Sequence, residues 1–177
     1  MNARVTPDSY GVLTEPSTLK IQRLLPGPIE RVWAYLTESE LRRQWLAAGQ
    51  MELKAGAPFE LVWRNDELSQ PQGSRGPDAA PHEQRLQSRI TELDPPRRLV
   101  IAWGEGQAAF DLTPQGDEVL LTIIHQGLSR DDRLGISAGW HQHLNVLAVR
   151  MDGRIPTASF WDGWARLRTE YEARFGG

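Results

Sequence analysis

Polar and apolar positions alternate from residue 19 onward. Leu19, Ile21 and Arg23 fall on one side and Lys20, Gln22 and Leu24 on the other, so the spacing predicts a strand that stops at Pro26-Gly27-Pro28. The rhythm then changes to that of a helix: Ile29, Val32, Trp33 and Leu36 recur at i, i+3, i+4 and i+7 behind Pro28, which suits a first helical turn. Thr37 with Glu40 predicts a capping box that opens a second short helix, with Leu41 and Trp45 on its apolar side. Alternation returns at Met51 and Leu53, and the turn at Ala55-Gly56 followed by Phe59, Leu61 and Trp63 predicts a hairpin. Further short runs at 83–93, 99–103, 107–112 and 118–126 are separated by Pro95-Pro96, Gly104-Glu105-Gly106 and Gln115-Gly116-Asp117, the punctuation of an antiparallel meander.

The last third is helical. Ile136, Trp140, Leu144, Leu147 and Met151 form one stripe that ends at Asp152-Gly153, and Phe160, Trp164, Leu167, Tyr171 and Phe175 form a second after Pro156. Strand, two short helices, several strands and a long helix define an α+β fold with about six or seven antiparallel strands, one face of which the long helix must cover. The expected organisation is a loosely ordered leader over 1–18, a domain over 19–153 and an additional terminal helix over 154–177. The segment 69–81, rich in Pro and Gly, is expected to be a flexible loop.

Composition narrows the class of protein. A chain of 177 residues suffices for one domain with a sizeable core. With 20 Lys and Arg against 23 Asp and Glu there is no basic excess to attract nucleic acid or an anionic membrane. The absence of cysteine removes disulfides, thiol catalysis and thiolate metal sites together. No apolar run reaches the roughly 18 residues of a membrane span and residues 1–18 lack the features of a signal peptide, so a cytoplasmic location is expected.

Gly135-Ile136-Ser137-Ala138-Gly139 matches a nucleophile-elbow pattern, but the preceding 129–133 are polar and read as a helix start, not a strand; Ser137 is therefore not expected to be a nucleophile. The two glycines are read instead as letting the helix N-terminus approach the sheet. His141 and His143 stand two apart, about 200° around a helix, so they cannot converge on one ion, and no metal site or cofactor is expected. His125 shares its strand parity with Leu121 and Ile123, and His143 lies at the edge of the helical stripe, so both are candidates to face an interior. Tryptophans on the apolar faces of several elements suit either a bulky core or a cavity wall. The candidate ligand-binding set is Phe59, Trp63, Trp103, Phe110 and Trp140 as walls, with Leu144 from the same helix face and His125 and His143 as polar contacts.

The run Pro28-Ile29-Glu30-Arg31-Val32-Trp33-Ala34-Tyr35-Leu36-Thr37 with Leu41-Arg42-Arg43-Gln44-Trp45 resembles the opening of the START-related helix-grip superfamily, in its activator-of-heat-shock-protein-ATPase-like branch. Gly56 with Phe59, the element from Ile90 to Leu99 containing Asp94-Pro95-Pro96-Arg97-Arg98, Trp103, His125-Gln126-Gly127-Leu128, and Gly139-Trp140 leading to Asp152-Gly153 extend the resemblance in order. It implies a curved antiparallel sheet gripping a long helix around an apolar cavity. The 69–81 insert and the terminal helix depart from the minimal domain of that superfamily, and the co-chaperone activity belongs to proteins with an added preceding domain.

Three functions stand at this stage. The first is a cytoplasmic binding protein for a small apolar or aromatic ligand, with no catalytic residue assigned. The second is a cyclase, dehydratase or hydrolase using the same cavity, which requires an acid/base pair there. The third is a co-chaperone-like protein-interaction module, a homodimer or partner contact through the terminal helix, which exposure of Phe160 and Trp164 would favour.

Overall fold

A computed structural model describes residues 7–70 and 82–176. The strands are β1 (Val12–Glu15), β2 (Thr18–Pro26), β3 (Pro58–Trp63), β4 (Gln84–Asp94), β5 (Arg98–Trp103), β6 (Gly106–Gln115) and β7 (Glu118–Gln126). The helices are α1 (Ile29–Thr37), α2 (Ser39–Arg42), α3 (Arg133–Met151) and α4 (Phe160–Phe175), with a 3-10 turn at Asn65–Leu68.

All seven strands join one antiparallel sheet in the order β1-β2-β7-β6-β5-β4-β3. Consecutive strands β4 to β7 form the expected meander, and β2 closes onto β7 with Thr18 opposite Gln126 and Pro26 opposite Glu118. A register shift between Ile90 and Glu92 marks a bulge that bends β4 and re-aims the strand. The 19-residue α3 lies against the sheet: Trp140, Leu144, Leu147 and Met151 share one core with Leu19, Ile21, Leu121 and Ile123. The apolar stripe read from sequence is thus the surface that covers the sheet. An Arg31 guanidinium donates to the Met151 carbonyl at 2.8 Å and ties α1 to the end of α3.

The stripe of α4 docks on α3 through Leu167 and Tyr171 against Ala138. Phe160 is buried and Trp164 is half-buried, so the apolar face offered to an outside partner is instead occupied by the protein's own helix.

Three local expectations are corrected. Residues 51–53 form no strand: Gly56 N–H donates to the Ile90 carbonyl and Ile90 N–H to the Ala57 carbonyl, so the segment before β3 is held by β4 and cannot fold back into a hairpin. The strand β3 pairs with β4 instead, Leu61 opposite Leu86. The capping box is not formed, because Thr37 Oγ1 donates backward to the Trp33 carbonyl at 2.9 Å and closes α1, while Glu38 occupies the N-cap of α2 without a side-chain bond. Within the span expected as a leader, Val12–Glu15 forms an edge strand on β2, too short for its alternation to register in the sequence. Just before it, the Tyr10 hydroxyl donates to Glu170 and Gly11 N–H donates to the Tyr171 hydroxyl, at 2.6 and 2.7 Å.

The bend after α2 is organised by a buried cation. Arg42 donates to the carbonyls of Leu36, Thr37, Ala47 and Gly49, and burial pulls its pKa down to about 10, which leaves it charged at neutral pH. Gly49 adopts φ +140°, and a Cβ there would run into the Glu60 carbonyl. Gly49→Ala is expected to cost about 3 kcal/mol or more in chemical denaturation. An unchanged midpoint would contradict this account of the bend.

Candidate functional site

A cleft of about 530 Å³ opens between the β3–β5 end of the sheet, the N-terminal half of α3 and the start of α4. Trp63 and Trp103 come from adjacent parts of the sheet and Trp140 from α3, their rings linked in sequence at 5.4 Å between centroids. The facing wall is Phe160, Trp161 and Trp164 of α4, with the two indoles in edge contact at 5.5 Å. Gly135 and Gly139, one helical turn apart on α3, line the same space. A Cβ built at Gly139 would meet nothing within 4 Å. Gly139 therefore leaves room on the cleft side of α3, while a Cβ at Gly135 would meet the Trp164 ring at 3.7 Å; neither faces the sheet, and the expectation that they serve close approach to it is corrected. Ser137, between them, is fully enclosed and makes no hydrogen bond.

Of the residues singled out from sequence, Trp63, Trp103, Trp140 and His143 line the cleft. Phe59, Phe110, His125 and Leu144 are buried in the core outside its lining, two of them acting on Trp140. Phe110 meets the Trp140 ring edge-on at 5.7 Å, and Nδ1 of His125 accepts the Trp140 indole N–H at 3.0 Å. Trp161, Trp164, Gly135 and Gly139 were missed as wall residues. The spacing of three between the tryptophans and four between the glycines does place each pair on one helix face, but nothing in the pattern says that both faces meet at one cavity.

The histidines sit in three environments. Burial pushes the pKa of His125 and of His143 down to about 4. His143 Nδ1 lies 2.7 Å from the Trp45 carbonyl, which can only accept, so this nitrogen carries the proton. His141 points to the other side of α3, as the 200° rotation requires. There His141 Nδ1 lies 2.9 Å from the Tyr171 hydroxyl, which accepts from Gly11 N–H. Burial first, and the Arg23 charge next, lower His141 to about 4, while burial raises Tyr171 to about 12.

Polar groups gather at the rims. Buried Asp66 accepts the Trp161 indole N–H at 2.7 Å and pairs with Nδ1 of exposed His82 at 2.9 Å, which fixes one wall of the cleft. Trp164 donates to the Gly135 carbonyl at 3.0 Å and fixes the wall at the other end. At the mouth Arg85 is paired with Glu60 and Glu83, and Asp132 accepts from Ser129. Neither His125 nor His143 has a carboxylate among its hydrogen-bond partners.

A curved antiparallel sheet that grips a long helix, with an apolar cleft beside that helix, defines a protein of the helix-grip class. Residues 26–152 match the family described as activator of Hsp90 ATPase homolog 1-like protein, and the chain belongs to that family. A solution structure of the protein encoded by gene BPP1335 of Bordetella parapertussis is 31% identical, with a TM-score of 0.73, and the match covers 98% of this chain and 95% of that one. CalU16 from Micromonospora echinospora is 20% identical at a TM-score of 0.64, over 88% of this chain and 86% of that chain. DynU16, a protein of the dynemicin biosynthetic locus, is 18% identical at a TM-score of 0.64; the match covers 82% of this chain and 51% of that chain. The last two likenesses speak for the fold alone. No curated protein sequence matches the chain.

Proposed function

We propose that this chain is a cytoplasmic binding protein for a small apolar or aromatic ligand, held in the cleft between the sheet, α3 and α4. The observation that carries this reading is a cleft of about 530 Å³ walled by five tryptophans and Phe160 and given open space at Gly139. A pocket of this size, largely apolar with few polar groups, is the form taken by small-molecule sites. The histidine–carboxylate pair His82–Asp66 stands at the rim with Asp66 held by the Trp161 indole, and among the described residues no carboxylate bonds to His125 or His143. A partner-docking role for α4 lacks an exposed aromatic face, since Phe160 is buried and Trp164 is bonded to α3. For the location, the cysteine-free composition is the support, and no helix among the described residues is long and apolar enough to cross a membrane.

The test fills the open space. Titration with a neutral apolar fluorescent probe, N-phenyl-1-naphthylamine, is expected to change tryptophan emission of the native protein. Gly139→Leu should weaken that binding at least about tenfold. Its thermal midpoint should hold or rise, because replacing a helical glycine favours the helix by up to about 1 kcal/mol. A probe that never binds the native protein, or binds the variant equally well, overturns the proposal.

A further inference from the structure

One side chain of the cleft wall, His143, offers it an acceptor. Three of the five indole donors on its walls are committed to the protein itself: Trp140 to His125, Trp161 to Asp66 and Trp164 to the Gly135 carbonyl. The His143 Nδ1–H is committed to the Trp45 carbonyl. A neutral imidazole with one nitrogen donating keeps a lone pair on the other, so the nitrogen His143 has left for a partner, Nε2, is an acceptor. His143 lines the cleft, with its ring packed on Phe160 at 4.6 Å between centroids. Of the charged lining groups, Arg85 is paired with Glu60 and Glu83, and Asp132 accepts from the Ser129 hydroxyl.

We propose that the cleft takes an aromatic ligand bearing a hydrogen-bond donor, a hydroxyl or an N–H, and that Nε2 of His143 receives that donor; this rests on the cleft being the binding site. The indoles fit the aromatic part, because offset and edge-to-face ring contacts add to the apolar burial that any hydrocarbon would gain. The donor is selected because a buried acceptor faced by a group that cannot donate loses its water partner without replacement. A ligand of the same shape with the donor masked should therefore bind less well.

Two probes with the same skeleton test this, 2-naphthol and 2-methoxynaphthalene. The native protein is expected to bind the naphthol about fivefold to tenfold more tightly. In nitrogen-15 spectra of histidine-labelled protein, Nε2 of His143 should shift toward its hydrogen-bonded value with the naphthol and stay in place with the ether. His143→Leu should erase the preference. The leucine variant also removes the donor to the Trp45 carbonyl, so the nitrogen-15 readout on the native protein stands as evidence even if that variant folds poorly. Equal affinity for both probes with an unmoved Nε2 overturns the donor assignment and leaves the binding reading intact. Failure of both probes to bind overturns the two together.

Discussion

Trp45→Ala and Trp140→Ala are each expected to destabilise the protein by about 3–5 kcal/mol in denaturant unfolding, the range for losing a close-packed tryptophan. Trp45 is fully buried, its indole N–H donates to the Tyr35 carbonyl at 2.9 Å, and its own carbonyl receives His143. Trp140 touches the cleft yet is only 3% exposed, packs on Trp103 and Phe110, and supplies the donor to His125. From sequence, Trp140 is the natural residue for separating an open cavity from a filled core, since a cavity wall would be cheap to truncate. The structure moves that role to half-buried Trp164. Trp164→Ala should cost well under half as much as Trp45→Ala while still weakening probe binding. Equal losses of stability at Trp164 and Trp45 would mean that the α4 wall is ordinary core.

Acidification should have an effect of similar size. His125 and His143 titrate near 4 in the folded protein and near 6.5 when released. Folding thus holds back protons that the unfolded chain accepts. The stability gained by keeping each ring neutral is fully present above about pH 6.5 and is lost as the pH falls toward 4, by roughly 3 kcal/mol for each of the two. His141 moves in the same direction, lowered first by burial and next by the Arg23 charge. Summed against a typical domain stability of about 5–15 kcal/mol, this predicts loss of near-ultraviolet circular dichroism between about pH 6 and 4. A native spectrum at pH 4 would show that the rings gain partners when protonated.

The meander and the two C-terminal stripes were legible because each carries its own period over many residues, from Leu99 and Phe110 in the strands to Trp140 and Leu144 in α3. The failures have a common cause in competition between neighbours. Met51 and Leu53 alternate as a strand would, but β4 captures the backbone at Gly56 and Ala57 first. Thr37 and Glu40 have the spacing of a capping box, but the Thr37 hydroxyl is claimed by α1. At the site, Trp63, Trp103 and His143 could be nominated because aromatic and titratable groups on apolar faces stand out. Gly135 and Gly139 shape the cleft by what they lack, and a missing side chain leaves no mark in a hydrophobic pattern. Trp161 and Trp164 could be assigned to a surface but not to a side of the cavity, since periodicity fixes a face of one helix and not its distance from another.

The closure of the sheet also sets an order of events in time. The bond between Gln22 and Thr122 spans 100 residues and that between Tyr10 and Glu170 spans 160, whereas β4 to β7 pair with sequence neighbours. On a ribosome the meander can begin to form as it emerges, but β2 must wait, its β7 edge unmade, until about a hundred further residues have been synthesised. The N-terminal segment waits longer still, for the final helix that anchors Tyr10 and Gly11. Until β7 emerges the apolar residues Leu19, Ile21 and Leu25 lack that edge to pair beside, which makes the nascent chain most vulnerable to aggregation just before β7 is complete.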